Sequence, residues 1–143
     1  MEVYRTSSAQ ETESLGDVLA NDFCQGDFVA LFGEMGSGKT VFVRGFCRAL
    51  VPDARVSSPT FSVLNVYQSE ERTINHFDMY RITSEDDLLS TGYEDVIQSG
   101  ITLCEWPENI EDFLPKRYCK IVFRKNGENE RILEVEWIER ALY

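Results

Sequence analysis

The sequence predicts a three-layer α/β fold with a mixed, mainly parallel sheet and a C-terminal β-hairpin, in one domain covering 1–143. Three observations predict it. Short apolar runs alternate with stretches of helical periodicity. A glycine-rich turn joins one of those runs to an amphipathic helix, and Asn126-Gly127 separates two alternating stretches near the C-terminus. Strands that alternate with helices form crossover units, and these make parallel sheets covered on both faces.

Residues 2–6 alternate weakly and predict a short edge strand. Ser8-Ala9-Gln10-Glu11 has the Ser-x-x-Glu spacing that satisfies free N–H groups at a helix start. Leu15, Val18, Leu19 and Phe23 recur at helical spacing, so a helix is expected from about residue 9 to 24, with Gly26 ending it. Phe28–Phe32 is an unbroken apolar run, as expected of a strand buried on both faces. Val43, Phe46, Cys47 and Leu50 form one stripe on the next helix, which Pro52 terminates. Residues 60–68 and 73–78 read as strands around the polar turn Ser69-Glu70-Glu71-Arg72. Ser84-Glu85-Asp86-Asp87 opens a short helical stretch that runs to Gly92, and residues 94–98 form a further helical turn. Ile101–Cys104 is a second buried strand that stops at Glu105-Trp106-Pro107, and strands at 118–125 and 130–137 flank the Asn-Gly turn.

The segment Gly33-Glu34-Met35-Gly36-Ser37-Gly38-Lys39-Thr40 matches G-x-x-x-x-G-K-[ST] in full, and makes the fold class that of a P-loop NTPase. Its glycines let successive backbone N–H groups turn inward on a polyphosphate, and the following helix start favours the same negative charge. In that arrangement Lys39 neutralises the β- and γ-phosphates of ATP, and the Thr40 hydroxyl takes one Mg²⁺ position. Hydrolysis needs groups from neighbouring strand ends. Asp78 closes 73–78, and Glu105 closes the strand at Ile101. One carboxylate beside Thr40 suffices for Mg²⁺, which keeps several waters, and the other can orient an attacking water. Spacing leaves open which acid does which. Ser57-Ser58-Pro59-Thr60 lies where a switch loop passes the γ-phosphate in other NTPases, although local sequence alone favours an ordinary Ser/Pro turn that opens a strand. Trp106 reads as a core aromatic or as a partner contact.

Net charge is −11, from 14 basic and 25 acidic residues, without the Lys/Arg cluster that gripping nucleic acid requires. Direct RNA, DNA or anionic-membrane binding is therefore not expected, while docking on a basic protein is allowed. The four cysteines form no C-x-x-C pair, so buried thiols in a reducing compartment are expected. One histidine, His76, poorly supports a histidine metal site or triad. No apolar leader or membrane span is visible, and a cytoplasmic location is expected. The motifs N-K-x-D, D-x-x-G, H-R-D and D-F-G are missing, which weighs against GTPases and protein kinases. Arg44, Arg48, Arg72 and Arg81 have no assignable role as arginine fingers.

Besides the P-loop, the ordered set Ser57-Ser58-Pro59-Thr60-Phe61, His76-Phe77-Asp78-Met79-Tyr80-Arg81, Gly92-Tyr93-Glu94-Asp95 and Leu103-Cys104-Glu105-Trp106-Pro107 resembles the TsaE family from about residue 8 to 135. These are small bacterial ATPases of tRNA threonylcarbamoyladenosine synthesis. The resemblance implies a partnership with the TsaB–TsaD complex, which transfers threonylcarbamoyl from its adenylate to N6 of adenosine 37 in tRNAs reading codons that begin with A. It also implies that Lys39 and Thr40 hold phosphates and Mg²⁺. Glu105 would be the second metal-side residue and Asp78 a nearby acid needed for hydrolysis. Thr60, with Ser58 and Pro59, would belong to a switch-like loop, and Trp106 to the same functional edge. Ser7–Thr12 and Gly127–Arg131 would lie near the nucleotide, with Arg131 among its contacts. One departure falls at Met35 and Ser37, where relatives often carry small or Leu residues; a loop that works through backbone N–H groups tolerates both. Two other functions share the loop. A small-molecule kinase needs an acceptor pocket and usually a lid, for which the chain shows no sequence. A regulatory binder would hold ATP without hydrolysing it.

Overall fold

The computed structural model describes residues 1–57 and 63–140. In chain order the elements are β1 (Glu2–Thr6), α1 (Ala9–Ala20), β2 (Phe28–Phe32), α2 (Lys39–Leu50), β3 (Leu64–Gln68), β4 (Thr73–Asp78), α3 (Glu85–Leu89), α4 (Tyr93–Val96), β5 (Ile101–Glu105), a 3-10 segment Pro107–Phe113, β6 (Arg117–Lys125) and β7 (Arg131–Glu139). The strands form one seven-stranded sheet in the order β1-β7-β6-β2-β5-β4-β3. Its four middle strands, β6, β2, β5 and β4, run parallel. The margins are antiparallel, because β3–β4 and β6–β7 are hairpins with short turns, and a short turn can only reverse a strand. β1 closes the β7 side as the expected edge strand.

Alternation along the strands splits the core in two. Val29, Leu31, Leu103 and Ile121 pack on the α1–α2 side, while Phe28, Ala30, Phe77 and Cys104 pack on the side of α3 and α4. A strand with both faces covered needs an apolar residue at every position, and Phe28–Phe32 supplies one.

Helix α1 differs from expectation in length and in face. It stops at Ala20, since the Asp22 and Phe23 N–H groups fold back onto the Leu19 and Ala20 carbonyls and the Cys24 N–H donates to Asp27 Oδ2 at 2.9 Å. Gly26 is therefore a loop residue rather than the helix end. Phe23 still reaches the core, with its ring 5.5 Å from that of Phe46. Val18, expected on the apolar stripe, is 65% exposed; the buried face is Thr12, Gly16, Leu19 and Ala20. Backbone contact between the helices causes this rotation. A Cβ on Gly16 would sit 2.2 Å from the Phe42 carbonyl oxygen, and one on Gly45 only 1.8 Å from that of Glu13. Arg48 ties the same two helices, with nitrogens 3.3 Å from Glu13 Oε2 and 3.1 Å from Asp17 Oδ2. At the start of α1, Ser8 Oγ accepts from the Glu11 N–H at 3.1 Å and Glu11 Oε1 accepts from the Ser7 N–H at 3.0 Å, as the capping spacing requires.

All four cysteines are free, with Cys24 exposed and Cys47, Cys104 and Cys119 buried. Burial pushes the Cys47 and Cys119 thiols up to about 12, which disfavours thiolate chemistry at either. No described helix is long and apolar enough to cross a membrane.

The contact between α1 and α2 is overfilled by a single methyl group. Gly45→Ala is expected to lower unfolding free energy by about 1–3 kcal/mol, and Gly16→Ala by a similar amount, whereas Val18→Ala should leave it nearly unchanged. Urea denaturation of the three variants measures this.

Candidate functional site

The turn between β2 and α2 holds its shape because glycine occupies its left-handed positions, φ 76° at Gly36 and 105° at Gly38. Gly38 is also the residue that caps α2. A Cβ there would meet Thr12 Cγ2 at 3.5 Å and the Arg131 side chain at 4.0 Å, so α1 and β7 wall the turn. Ser37 Oγ is buried and has no hydrogen-bond partner among the described residues. Lys39 begins α2, is 6% exposed, and donates from Nζ to the Gly33 carbonyl at 2.6 Å. Its ammonium also stands 4.4 Å from the centre of the Trp106 ring. Burial pulls the Lys39 pKa below its ordinary value, opposed by the negative charges of Glu105, Glu108 and Asp78.

Opposite the turn, parallel pairing of β4 with β5 sets Asp78 directly beside Glu105. Alternation sends His76 and Asp78 of β4, and Leu103 and Glu105 of β5, to the α2 side of the sheet. Asp78 Oδ1 accepts the Tyr80 N–H at 2.9 Å. Burial raises the Asp78 pKa, and Glu105 raises it further, against the lowering by the Tyr80 N–H, His76 and Lys39. Glu105 is 6% exposed, and its Oε2 lies 2.6 Å from His76 Nε2. Trp106 is alone among the described non-glycine residues in having positive φ, at 57°. That conformation is unfavourable for a large side chain, and its ring is held 5.1 Å from Tyr80 and beneath Lys39.

These groups line a cleft of about 720 Å³, within the usual range for a small-molecule site. Gly36, Gly38, Lys39, Thr40, Asp78, Glu105 and Trp106 face one another across it, with Met35 at its rim. Ser8, Ala9 and Thr12 from the N-terminal segment, and Glu128, Asn129 and Arg131 from the hairpin, complete the wall. Gly33, Glu34 and Ser37 shape the turn but do not line the cleft, and Glu34 faces outward to Lys125 at 3.8 Å. Arg131 lines the cleft, yet its guanidinium donates to the carbonyls of Glu130 at 2.9 Å, Glu128 at 3.0 Å, Gly127 at 3.3 Å and Gly36 at 3.3 Å. It thus ties the hairpin to the phosphate-loop turn. Ser58, Pro59 and Thr60 lie outside the described residues.

Sequence reasoning left four neighbours of the site without a place: His76, Tyr80, Arg81 and Lys125. His76 could have been found from its spacing, since it stands two residues before Asp78 on the same strand face. Tyr80 and Arg81 lie in the quoted 76–81 motif without a role assigned to them, and Lys125 carries no local signal.

The donor set is all oxygen, two adjacent carboxylates near a threonine hydroxyl. Among the described residues no group of three or more His, Cys, Asp or Glu could hold a metal by itself. Sparse oxygen ligation suits Mg²⁺, which keeps its waters and shares phosphate oxygens, better than Zn²⁺.

A carboxyl whose pKa is raised by folding stabilises the fold only when protonated. For Asp78 that contribution is complete below the ordinary value of 3.8 and is lost as pH rises through the raised value, so the ionised carboxylate weakens the fold at neutral pH. Asp78→Asn keeps an oxygen for the Tyr80 N–H. It is expected to gain about 1 kcal/mol at neutral pH, with the gain shrinking toward pH 4, as urea titrations at the two pH values would register.

Comparison with known proteins gives the family of the chain. The family model described as "Threonylcarbamoyl adenosine biosynthesis protein TsaE" matches residues 6–140. The tRNA threonylcarbamoyladenosine biosynthesis protein TsaE of Bacillus subtilis is 33% identical over 129 residues, covering 90% of this chain and 80% of that protein. Its counterpart in Treponema pallidum is also 33% identical over 129 residues, covering 90% of this chain and 95% of its own length. Among solved structures, Bacillus subtilis YdiB superposes with a TM-score of 0.77 at 28% identity, covering 96% of this chain and 85% of YdiB.

Proposed function

The chain belongs to the TsaE family, which serves tRNA threonylcarbamoyladenosine biosynthesis, and on that premise we propose that it is a weak Mg²⁺-dependent ATPase. In this reading it assists a TsaB–TsaD complex in transferring threonylcarbamoyl to adenosine 37 of tRNA. The observation that carries the reading is the single cleft in which the glycine turn, Lys39 and Thr40 face Asp78 and Glu105. ATP enters with its phosphates against the backbone N–H groups of residues 36–40, and Lys39 shifts from the Gly33 carbonyl to the β- and γ-phosphate oxygens. Thr40 and Glu105 would hold Mg²⁺, which would supply positive charge against the phosphate oxygens. Asp78 accepts a hydrogen bond from the attacking water and orients it in line with the γ-phosphate. Ser8–Thr12 and the 128–131 turn flank the remainder of the nucleotide.

Turnover by the free chain is expected to be slow. Arg131 is engaged with four carbonyls, and Arg48 is bound to α1, so neither is poised to stabilise the transferring phosphate, which leaves Arg81 as the other arginine lining the cleft among the described residues. A partner can supply what is missing, and the acidity of the chain favours a protein partner over direct tRNA contact in the cytoplasm. Work is done only if the ATP and ADP forms differ in affinity for that partner.

Two measurements test this. Calorimetry with Mg–ATP should show binding by the wild type, weakened about 10- to 100-fold in Lys39→Ala; no heat from folded wild type at millimolar nucleotide would refute the reading. ATP turnover should rise as the TsaB–TsaD complex is titrated in, and a flat titration would remove the partner coupling while leaving nucleotide binding intact.

A further inference from the structure

His76 is the chain's one histidine, is fully buried, and takes no direct part in the chemistry just described. An imidazole with no exposed surface is tolerated only if its nitrogens find partners. Both do: Nε2 lies 2.6 Å from Glu105 Oε2, and Nδ1 lies 3.3 Å from the Tyr67 hydroxyl. The Tyr67 hydroxyl donates to the Ser57 carbonyl at 2.9 Å and accepts the Ser57 N–H at 3.3 Å. A carboxylate offers only acceptors, so the ring carries a proton on Nε2 toward Glu105, while Nδ1 faces the Tyr67 oxygen, whose own proton goes to the Ser57 carbonyl. An aliphatic residue would fill the same volume between Ile74 and Leu103 without any need for partners. What the imidazole adds is direction. Glutamate has three rotatable bonds, and a donor at one fixed point restricts them all.

We propose that His76 is a positioning residue, which fixes the Glu105 carboxylate through Oε2, leaves Oε1 to the cleft, and ties both to the backbone at Ser57 through Tyr67. The proposal rests on the reading of Glu105 as a nucleotide-site carboxylate. Supporting groups of this kind act on the ligand they orient, and their loss costs about 10- to 100-fold in metal affinity or activity.

A single histidine makes the proposal directly observable. A long-range ¹⁵N–¹H spectrum of the ¹⁵N-labelled protein, free of nucleotide and metal, contains one imidazole pattern. It should report a proton on Nε2, and Glu105→Gln should move the Nε2 signal. Tyr67→Phe should move mainly the Nδ1 signal. Kinetically, His76→Ala should lower kcat for ATP by about 10- to 100-fold while Mg²⁺-free ADP binding stays within about twofold. His76→Gln, whose amide can reach toward Glu105, should recover part of the loss. If His76→Ala does not fold, Tyr67→Phe decides, with an expected drop in kcat of about 3- to 10-fold. An imidazole spectrum indifferent to Glu105→Gln, or folded variants with wild-type kcat, would overturn the positioning role. Failure of the wild type to bind Mg–ATP would instead overturn the ATPase reading, and the imidazole spectrum would still decide the hydrogen bonds.

Discussion

The register between β4 and β5 decides whether this molecule has a site at all. Parallel pairing places Asp78 opposite Glu105 and His76 opposite Leu103, with both acids on the face that α2 covers. A slip of β4 by one residue would turn Phe77 toward the cleft and send His76 and Asp78 into the opposite core. The register is secured by burial on each side: Ile74, Ile101 and Leu103 pack on one face, Phe77 and Cys104 on the other. The apolar residues between the acids are thus what hold the acids in place. The arrangement is uncomfortable for the charges it assembles. Asp78 is pushed toward its neutral form by burial and by Glu105, while Lys39 is pushed toward its own neutral form by burial. Each relieves the other, and a fold that keeps such groups close gives up stability in order to present them.

Much of this was legible because it is local. A full phosphate-loop motif, an apolar run before it and an amphipathic stripe after it lie within contiguous residues 28–50, and the Asn126-Gly127 hairpin is equally self-contained. Strand ends at Asp78 and Glu105 could be read from where apolar runs stop. What escaped was non-local. The face of α1 is set by Gly16 and Gly45, which approach the partner helix's backbone, and no periodicity within α1 reports that approach. The 3-10 segment after Trp106 follows from a left-handed residue before a proline, a conformation that local preference opposes. Burial of the imidazole beside Glu105 depends on pairing between strands 29 residues apart along the chain.

The ends of the chain serve the same centre. β1 pairs with β7 over Glu2–Thr6, which brings Ser8 and Thr12 to the side of the cleft where Arg131 stands. Thr6 and Thr12 join through their hydroxyls at 2.6 Å, both buried, so the start of α1 is fastened to the sheet margin. The antiparallel strands beyond the parallel middle are therefore more than an edge cover. They carry a wall of the cleft and, through Arg131 and the Gly36 carbonyl, a brace for the phosphate-loop turn.

Charge is divided along the same lines. Net charge is −11, yet the cleft is lined by Lys39, Arg81 and Arg131 as well as by Asp78, Glu105 and Glu128, with Lys125, paired to Glu34, beside Gly36 at its rim. Elsewhere four arginines are matched with acids: Arg5 with Glu130, Arg48 with Glu13 and Asp17, Arg117 with Asp27 and Glu139, Arg124 with Glu134. A polyanion approaching this chain meets net negative charge over most of it and a balance of opposite charges at the mouth of the cleft. The Debye length in cells is about 8 Å, shorter than the spacing of phosphates over several nucleotides of RNA. A compact triphosphate can bring all its charge within reach of that mouth, whereas an extended nucleic-acid backbone cannot avoid the acidic surroundings. On the function proposed above, that distribution would accept a nucleotide at the cleft more readily than RNA and would leave a role in tRNA modification to be exercised through another protein.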